Sequence, residues 1–170
     1  MFRGLAIDLD GTLLLPDGQP SARSIAALTA ASAAGIHVII ASARWAALAA
    51  RVARQIPGSR IVVACSGAQV HDLETSRDIL DIRLSSAFTL RAMAICNELS
   101  GVGTFALDEE VFVRLEKPRE PNPASPEVHY VTHLGPRGNE RARVIMVQRG
   151  EAPGAVRAEV DAHWANEIHM

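Results

Sequence analysis

The chain has 170 residues and a mass of 18.2 kDa, and its 17 basic and 19 acidic side chains give a formal charge of −2. This length fits one compact domain or two small ones, and the 48% of apolar residues is enough to build a core. The near balance of charge and the isoelectric point of about 6.3 exclude a nucleic-acid binder that relies on bulk positive charge. We therefore expect a folded protein without a nucleic-acid partner.

The distribution of charged and apolar residues predicts neither a secretory leader nor a membrane span. Arg3 and Asp8 lie too close together to enclose the apolar segment of a secretory leader. The uncharged run 24–43 consists largely of Ala and Ser, which favours a helix followed by a strand over a membrane span. The two cysteines cannot supply a disulfide framework. The sequence therefore predicts a cytoplasmic protein with no membrane partner.

The N-terminal part predicts strands and helices in strict alternation. Short β-branched or apolar runs predict the strands, and apolar residues at helical spacing predict the helices. In chain order the predicted elements are strand 5–7, helix 21–34, strand 36–41, helix 45–56 and strand 61–64. This order favours right-handed crossovers and a parallel sheet, so the predicted fold class is α/β with a Rossmann-like sheet.

Beyond residue 68 the pattern changes to that of an α+β domain. The predicted elements are a β-ribbon over 69–84, a helix over 88–99, a hairpin of 104–107 and 111–115, a proline-rich loop over 117–127, a strand over 142–148 and a helix over 154–164. We therefore predict two domains, 1–68 and 69–170.

Polar residues follow each of the three predicted parallel strands, at 8–12, 42–44 and 66–68. Open parallel sheets bind their ligands beyond the carboxyl ends of the strands, so these groups are candidates for one site. Of two carboxylates one residue apart, Asp8 and Asp10, one can attack phosphorus or bind a metal while the other moves a proton. These groups suit phosphoryl transfer assisted by Mg²⁺. A bare Asp-x-Asp pair is equally well explained as a cap on the turn after a strand.

The complete string at 7–14, Ile-Asp-Leu-Asp-Gly-Thr-Leu-Leu, strongly resembles the first motif of the haloacid dehalogenase superfamily of phosphatases and phosphotransferases. The segments after it are similar to the Cof-type branch, which carries an α/β cap; they are Asp17-Gly18, Gly35-Ile36, Ser42-Ala43-Arg44 and Ser66-Gly67-Ala68. The resemblance is close over 3–70 and loose over 71–170. It implies that 1–68 is the N-terminal part of the Rossmann-like core and 69–170 an incomplete cap-like domain.

The resemblance also implies roles for individual residues. Asp8 would be the nucleophile that forms an aspartyl phosphate, and it would bind Mg²⁺. Asp10 would be the general acid and base, and its main-chain carbonyl would contribute to the metal site. The phosphate-binding positions would be Leu9, Asp10, Ser42 and Ala43, and further candidates for the site are Thr12, Arg44, Ser66 and Gly67. For Arg44, orienting the site, pairing with an acid and simple surface exposure remain open.

The sequence also departs from the family pattern. The usual Thr-Gly-Arg is here Ser42-Ala43-Arg44, and the usual Asn-Gly-Ala is Ser66-Gly67-Ala68. The third motif normally supplies a Lys and the fourth a Gly-Asp pair, whereas the only Lys is Lys117 and no Gly-Asp occurs. We therefore expect half of a catalytic set, weak or absent activity of a truncated form, and an uncovered first strand that favours homo-oligomers.

Two functions remain open on this basis. The first is a Mg²⁺-dependent phosphatase that hydrolyses a phosphomonoester of a small metabolite, such as a sugar phosphate, through an aspartyl phosphate. The second is a degenerate, non-catalytic relative that binds a phosphate ligand or a partner.

Overall fold

The structure is a computed structural model that describes residues 3–136 and 140–168. The chain divides into two units, Met1–Ile82 and Arg83–Met170. The division falls later than the boundary after residue 68 predicted above. The reason is that the ribbon after residue 68 continues the sheet of the first unit instead of opening a second domain.

The first unit is built on a five-stranded sheet with two helices. Its elements are β1 (Gly4–Ile7), α1 (Ala22–Ala33), β2 (His37–Ala41), α2 (Ala46–Ala53), β3 (Ile61–Ala64), β4 (Gln69–Asp72) and β5 (Arg77–Asp81). The strand order is β1-β2-β3-β4-β5, with β1, β2 and β3 parallel and the last two pairings antiparallel. The predicted α/β class with a parallel sheet is confirmed.

Local sequence explains where α1 begins and ends. The Ser21 side chain accepts a hydrogen bond of 3.0 Å from the N–H of Ser24, which satisfies one of the free donors of the first turn. Gly35 follows the helix with φ of +82°, a conformation that suits glycine at a helix terminus. These two signals place the amino end of β2 directly after the helix.

The apolar core of the first unit lies between the sheet and its helices. Its buried members are Leu9, Leu13, Leu28, Val38, Ile40, Ala49, Val52, Ala53, Ile56, Val62 and Ala64. No residue of β1 belongs to this buried set, and β1 is an edge strand with Leu5 38% exposed. The expectation of an uncovered first strand therefore holds for this sheet.

The second unit is a four-stranded sheet with two helices. Its elements are α3 (Ser86–Glu98), β6 (Val102–Leu107), β7 (Glu110–Arg114), β8 (Val128–Val131), β9 (Val144–Gln148) and α4 (Ala152–Glu159). The strand order is β8-β7-β6-β9, with β6 and β7 forming the predicted hairpin. The predicted last helix is shorter than expected: α4 ends at Glu159, and Val160–Trp164 continues as a wider helical turn.

The core of the second unit is larger than that of the first. Its buried members are Phe88, Ala92, Met93, Ile95, Cys96, Phe105, Leu107, Phe112, Leu134, Ala142, Ala152, Val156 and Val160. Burial raises the pKa of the Cys96 thiol to about 11, which keeps it neutral and makes it a packing residue.

Within the described part of the chain, no helix is both long and apolar enough to cross a membrane.

Candidate active site

The loop that leaves β1 projects two carboxylates into solvent. Leu9 is fully buried in the core of the first unit, whereas Asp8 and Asp10 on either side of it are exposed. The N–H of Leu13 donates to the main-chain oxygen of Asp8 at 3.2 Å and closes a wide turn. Gly11 takes φ of +76°, which lets the chain reverse direction in so short a loop. Buried Leu9 and Leu13 thus anchor a loop whose two acids face water.

Asp8 makes few contacts with the rest of the chain. The Thr12 hydroxyl lies 3.4 Å from Asp8 Oδ2, a long hydrogen bond. No other hydrogen bond reaches the Asp8 carboxylate from the described residues. Its oxygens are therefore open to a ligand, as a nucleophile or a metal donor requires.

Asp10 is held instead by a bidentate ion pair with Arg44. Arg44 Nε donates to Asp10 Oδ2 at 2.8 Å, and Nη2 donates to Oδ1 at 2.6 Å. The Arg44 guanidinium holds the pKa of Asp10 below its ordinary value, chiefly through these hydrogen bonds. Of the three possibilities for Arg44, the structure shows pairing with an acid.

Ser42 helps to position Arg44. Ser42 is buried at the end of β2, where its N–H donates to the oxygen of Val63 at 2.9 Å. Its hydroxyl accepts a hydrogen bond of 3.2 Å from the N–H of Arg44. In this structure the hydroxyl therefore caps the turn that carries Arg44, and Ala43 between them is exposed.

The third strand end joins the site through its backbone. Cys65 is buried, and its N–H donates to the oxygen of Arg44 at 2.8 Å. Cys65 and Ser66 both have positive φ, +51° and +55°, so this turn departs from the regular backbone of β3. The Ser66 side chain is exposed and has no hydrogen bond to the described residues, and Gly67 completes the turn.

The predicted site residues thus form two hydrogen-bonded groups in the structure. Asp10, Arg44 and Ser42 form one hydrogen-bonded chain, and Asp8 contacts Thr12. The backbone link from Cys65 to Arg44 was not predicted, because left-handed backbone at non-glycine residues leaves no mark in the sequence.

The donor chemistry of the first loop fits part of a Mg²⁺ site. The open carboxylate of Asp8 is the hard oxygen donor that Mg²⁺ prefers. Arg44 engages both carboxylate oxygens of Asp10, which leaves the main-chain carbonyl as the donor expected from that residue. Residues 3–136 and 140–168 contain no group of three or more His, Cys, Asp or Glu side chains that could hold a metal. The loop fits the ion in chemical type but supplies fewer donors than octahedral Mg²⁺ requires.

The fold is that of an α/β protein, and the acids and the buried hydroxyl at the carboxyl ends of its parallel strands form a candidate ligand site in the usual place for such folds. The chain belongs to the haloacid dehalogenase-like hydrolases, because the sequence model of that family matches residues 5–151. A comparison with curated proteins finds no match.

Three solved structures illustrate the likeness. The phosphatase BT1666 of the haloalkanoate (HAD) enzyme superfamily from Bacteroides thetaiotaomicron is 28% identical, with a TM-score of 0.58 over 69% of this chain and 43% of that protein. A haloacid dehalogenase-like hydrolase from the same organism is 16% identical, with a TM-score of 0.69 over 94% and 63%. The HAD subclass IIB sugar phosphatase BT4131 is 20% identical, with a TM-score of 0.56 over 65% and 43%. This chain spans less than two thirds of the length of each.

Proposed function

We propose that the chain carries the nucleophile-bearing part of a Cof-type phosphomonoester hydrolase that acts on a small phosphorylated metabolite. The observation that carries the proposal is the open Asp8 carboxylate beside Asp10, at the end of a parallel strand. A sugar phosphate is the preferred substrate class, because one structural relative is described as a sugar phosphatase. We place this activity in the cytoplasm.

The chemistry follows from the two acids. The Asp8 carboxylate attacks phosphorus, the bond between phosphorus and the alcohol oxygen breaks, and protonated Asp10 gives its proton to the departing alcohol. Water then attacks the aspartyl phosphate, Asp10 accepts the proton, and inorganic phosphate leaves. Backbone groups at Leu9, Asp10 and Ala43, with the Ser42 hydroxyl, hold the phosphoryl oxygens.

Arg44 affects the two steps differently. By holding the pKa of Asp10 below its ordinary value, it favours the ionised form, which is the form that accepts a proton from water. The same ion pair opposes protonation of Asp10, which the first step requires. Catalysis at neutral pH therefore requires that Arg44 release or share Asp10 when substrate binds.

Mg²⁺ completes the proposal as the cofactor. The Asp8 carboxylate and the Asp10 carbonyl would hold it, and it would offset the negative charge of the phosphate during transfer. With no Gly-Asp pair and only Lys117 as a lysine, the chain alone lacks groups that neutralise this charge, at a cost on the order of a thousandfold in rate. We therefore propose weak turnover by this chain.

A second candidate function is phosphate binding without turnover. The Asp10–Arg44 ion pair favours it, because a carboxylate neutralised by a bidentate guanidinium is a poor general acid. The uncovered edge at β1 also offers a surface for a second copy of the chain. We propose that the chain associates there, whether it is a hydrolase or a phosphate-binding protein.

Formation of a covalent adduct at Asp8 tests the proposal. Trifluoroberyllate mimics a phosphoryl group on a carboxylate, so ¹⁹F NMR of the full chain with Mg²⁺ is expected to show a bound signal. Asp8→Asn should remove the signal, and chelation of Mg²⁺ should do the same. Asp17→Asn is the matched control, since Asp17 is exposed and only caps a turn by accepting from Gln19 N–H.

Hydrolysis separates the two candidate functions. Release of phosphate from a panel of sugar phosphates that depends on Asp8 supports the hydrolase. An adduct or phosphate binding with no release, even at high protein concentration, supports the binding protein instead. Neither adduct nor release in the Asp17→Asn and unaltered chains would refute the assignment of Asp8 as nucleophile.

A further inference from the structure

The second unit contains a pocket that the proposed chemistry at Asp8 does not use. Its volume is about 550 Å³, which is the size of a metabolite site. It lies at one end of the four-stranded sheet, where β6 begins and where β7 and β9 end. Three short segments line it: Gly101–Val102, the chain from Leu115 to Arg119, and Arg149–Gly150.

The backbone around the pocket is tightly packed. A Cβ on Gly150 would lie 2.4 Å from the oxygen of Ser100, and one on Gly101 would lie 2.7 Å from the oxygen of Arg149. The N–H of Glu151 donates to the Ser100 oxygen at 2.9 Å, which fixes the turn between β9 and α4. The wall of the pocket is therefore a close contact between two turns.

Arg149 adopts an unusual backbone conformation in this wall. Its φ is +62°, in the left-handed region that favours glycine and that costs other residues about 1–2 kcal/mol. Strained backbone at a pocket is an observation from which function can be inferred. An arginine at this position keeps a positive charge on the wall at the expense of local stability.

The pocket has an excess of positive charge. Lys117, Arg119 and Arg149 line it, against one carboxylate, that of Glu116. Glu116 Oε1 is engaged, since it accepts a hydrogen bond of 3.2 Å from the N–H of Gly101. Lys117 and Arg149 have no hydrogen bond or ion pair within the described part of the chain. Two cations are therefore available to a ligand.

A buried arginine bonds to one residue of the pocket lining, Gly101. Arg114 is only 9% exposed, and its Nη1 donates to the oxygen of Gly101 at 3.0 Å. Its buried Nε has no hydrogen-bond partner, and no carboxylate among the described residues pairs with it. A buried charge without a counterion is destabilising, and because Arg114 bonds to a lining residue, an anion bound beside Gly101 would reduce this cost.

We propose that this pocket binds a phosphate monoester of metabolite size. An ammonium group and a guanidinium group suit the doubly charged phosphate, and guanidinium groups bind its oxygens in pairs. The apolar groups of Val102, Leu115 and Pro118 give the organic part of the ligand a surface. The proposal concerns the second unit alone and does not require hydrolysis at Asp8.

Titration of the full chain without Mg²⁺, followed by ¹H–¹⁵N NMR, tests the site. Glucose 6-phosphate is the probe, and inorganic phosphate and glucose are the comparison ligands. We expect saturable shifts of the Gly101 and Gly150 amides with glucose 6-phosphate, weaker binding of inorganic phosphate and no binding of glucose. Raising the ionic strength should weaken the binding.

Paired variants make the test specific. Lys117→Gln with Arg149→Gly should weaken binding at least tenfold, and Arg149→Gly also removes the backbone strain, so the fold is preserved. Lys117→Gln alone, in an exposed loop, should weaken it severalfold. Arg157→Gln is the matched control, because it removes an exposed cation from α4 outside the pocket and should leave binding unchanged.

Several outcomes would overturn the proposal. These are equal affinity in the Lys117→Gln chain, shifts confined to the first unit, equal binding of glucose 6-phosphate and inorganic phosphate, or citrate binding as tightly as glucose 6-phosphate. Equal binding of inorganic phosphate would mean that the pocket does not recognise the organic part, and equal binding of citrate would mean that it does not recognise the phosphate group.

Discussion

In the first unit, the edge strands β1 and β5 are largely exposed, and the two candidate carboxylates, Asp8 and Asp10, face solvent after β1. In the second unit, the middle strand β6 contributes Phe105 and Leu107 to a larger core. The treatment of charge differs as well. Arg44 and Arg60 of the first unit form bidentate pairs with Asp10 and Asp72, whereas Lys117 and Arg149 of the second unit's pocket have no ion pair among the described residues.

This difference indicates what each unit is built to do. Paired charges fix the positions of acids and keep them ionised, which suits a site where groups must be aligned. Cations without an acidic partner on a closely packed wall are suited to attracting an anion from solution. The open sheet of the first unit means that its stability depends on fewer buried side chains, so substitutions in the two units should have unequal effects.

Removal of a buried ring from the second unit should have the largest effect. Phe105 is 0% exposed, and Phe105→Ala is expected to lower the free energy of unfolding by about 3–5 kcal/mol. Leu5→Ala on the exposed edge strand β1 is the matched change and should cost less than about 1 kcal/mol. Urea unfolding followed by tryptophan fluorescence measures both, with Trp45 in the first unit and Trp164 in the second. Similar losses from the two variants would contradict the unequal burial of the two sheets.

Replacement of a closely packed glycine by alanine should give the next largest loss of stability. Gly150→Ala places a methyl group 2.4 Å from the Ser100 oxygen and keeps φ near +61°, so we expect a loss of about 3 kcal/mol. Gly11→Ala in the first loop has a similar φ of +76° but meets no atom within 4 Å, and should cost about 1 kcal/mol. Thermal unfolding of both variants measures the difference. A larger loss for Gly11→Ala would mean that the first loop, and not the turn at Gly150, is the more tightly packed.

Much of this arrangement could be predicted from the sequence, and the failures have physical reasons. The strands of the first unit, the extent of α1 and the loop that carries Asp8 and Asp10 follow from periodicity and local turn chemistry. The end of the first unit could not be predicted in this way. Alternation of apolar and polar residues shows that 69–84 forms strands, but it does not show which sheet they join. The partner of Arg44 stayed open, because Asp10 lies 34 residues away and only the folded sheet brings the two together.

The smallest effect on stability, and the most informative one for chemistry, concerns the Asp10–Arg44 pair. Arg44→Gln removes both hydrogen bonds to the carboxylate, so the pKa of Asp10 should rise toward its ordinary value of 3.8. Because the folded-state pKa is depressed, the pair stabilises the protein above about pH 4, and this contribution disappears as the pH falls through the pKa of Asp10. Carbon-detected NMR titration of the Asp10 carboxyl measures the change.

Arg23→Gln is the matched control, since Arg23 is exposed on α1 and has no contact with Asp10. An unchanged Asp10 titration in Arg44→Gln would show that the ion pair does not persist in solution, and the positioning role of Ser42 would fall with it. A raised pKa would instead identify Arg44 as the residue that keeps Asp10 ionised. In that case any hydrolysis that needs protonated Asp10 should persist to higher pH in the variant, because the limb on which activity falls as Asp10 loses its proton moves toward neutral pH. The pairing of Arg44 with Asp10 would then be a means of control over proton transfer, in contrast to Lys117 and Arg149 of the second unit's pocket, which have no ion pair among the described residues.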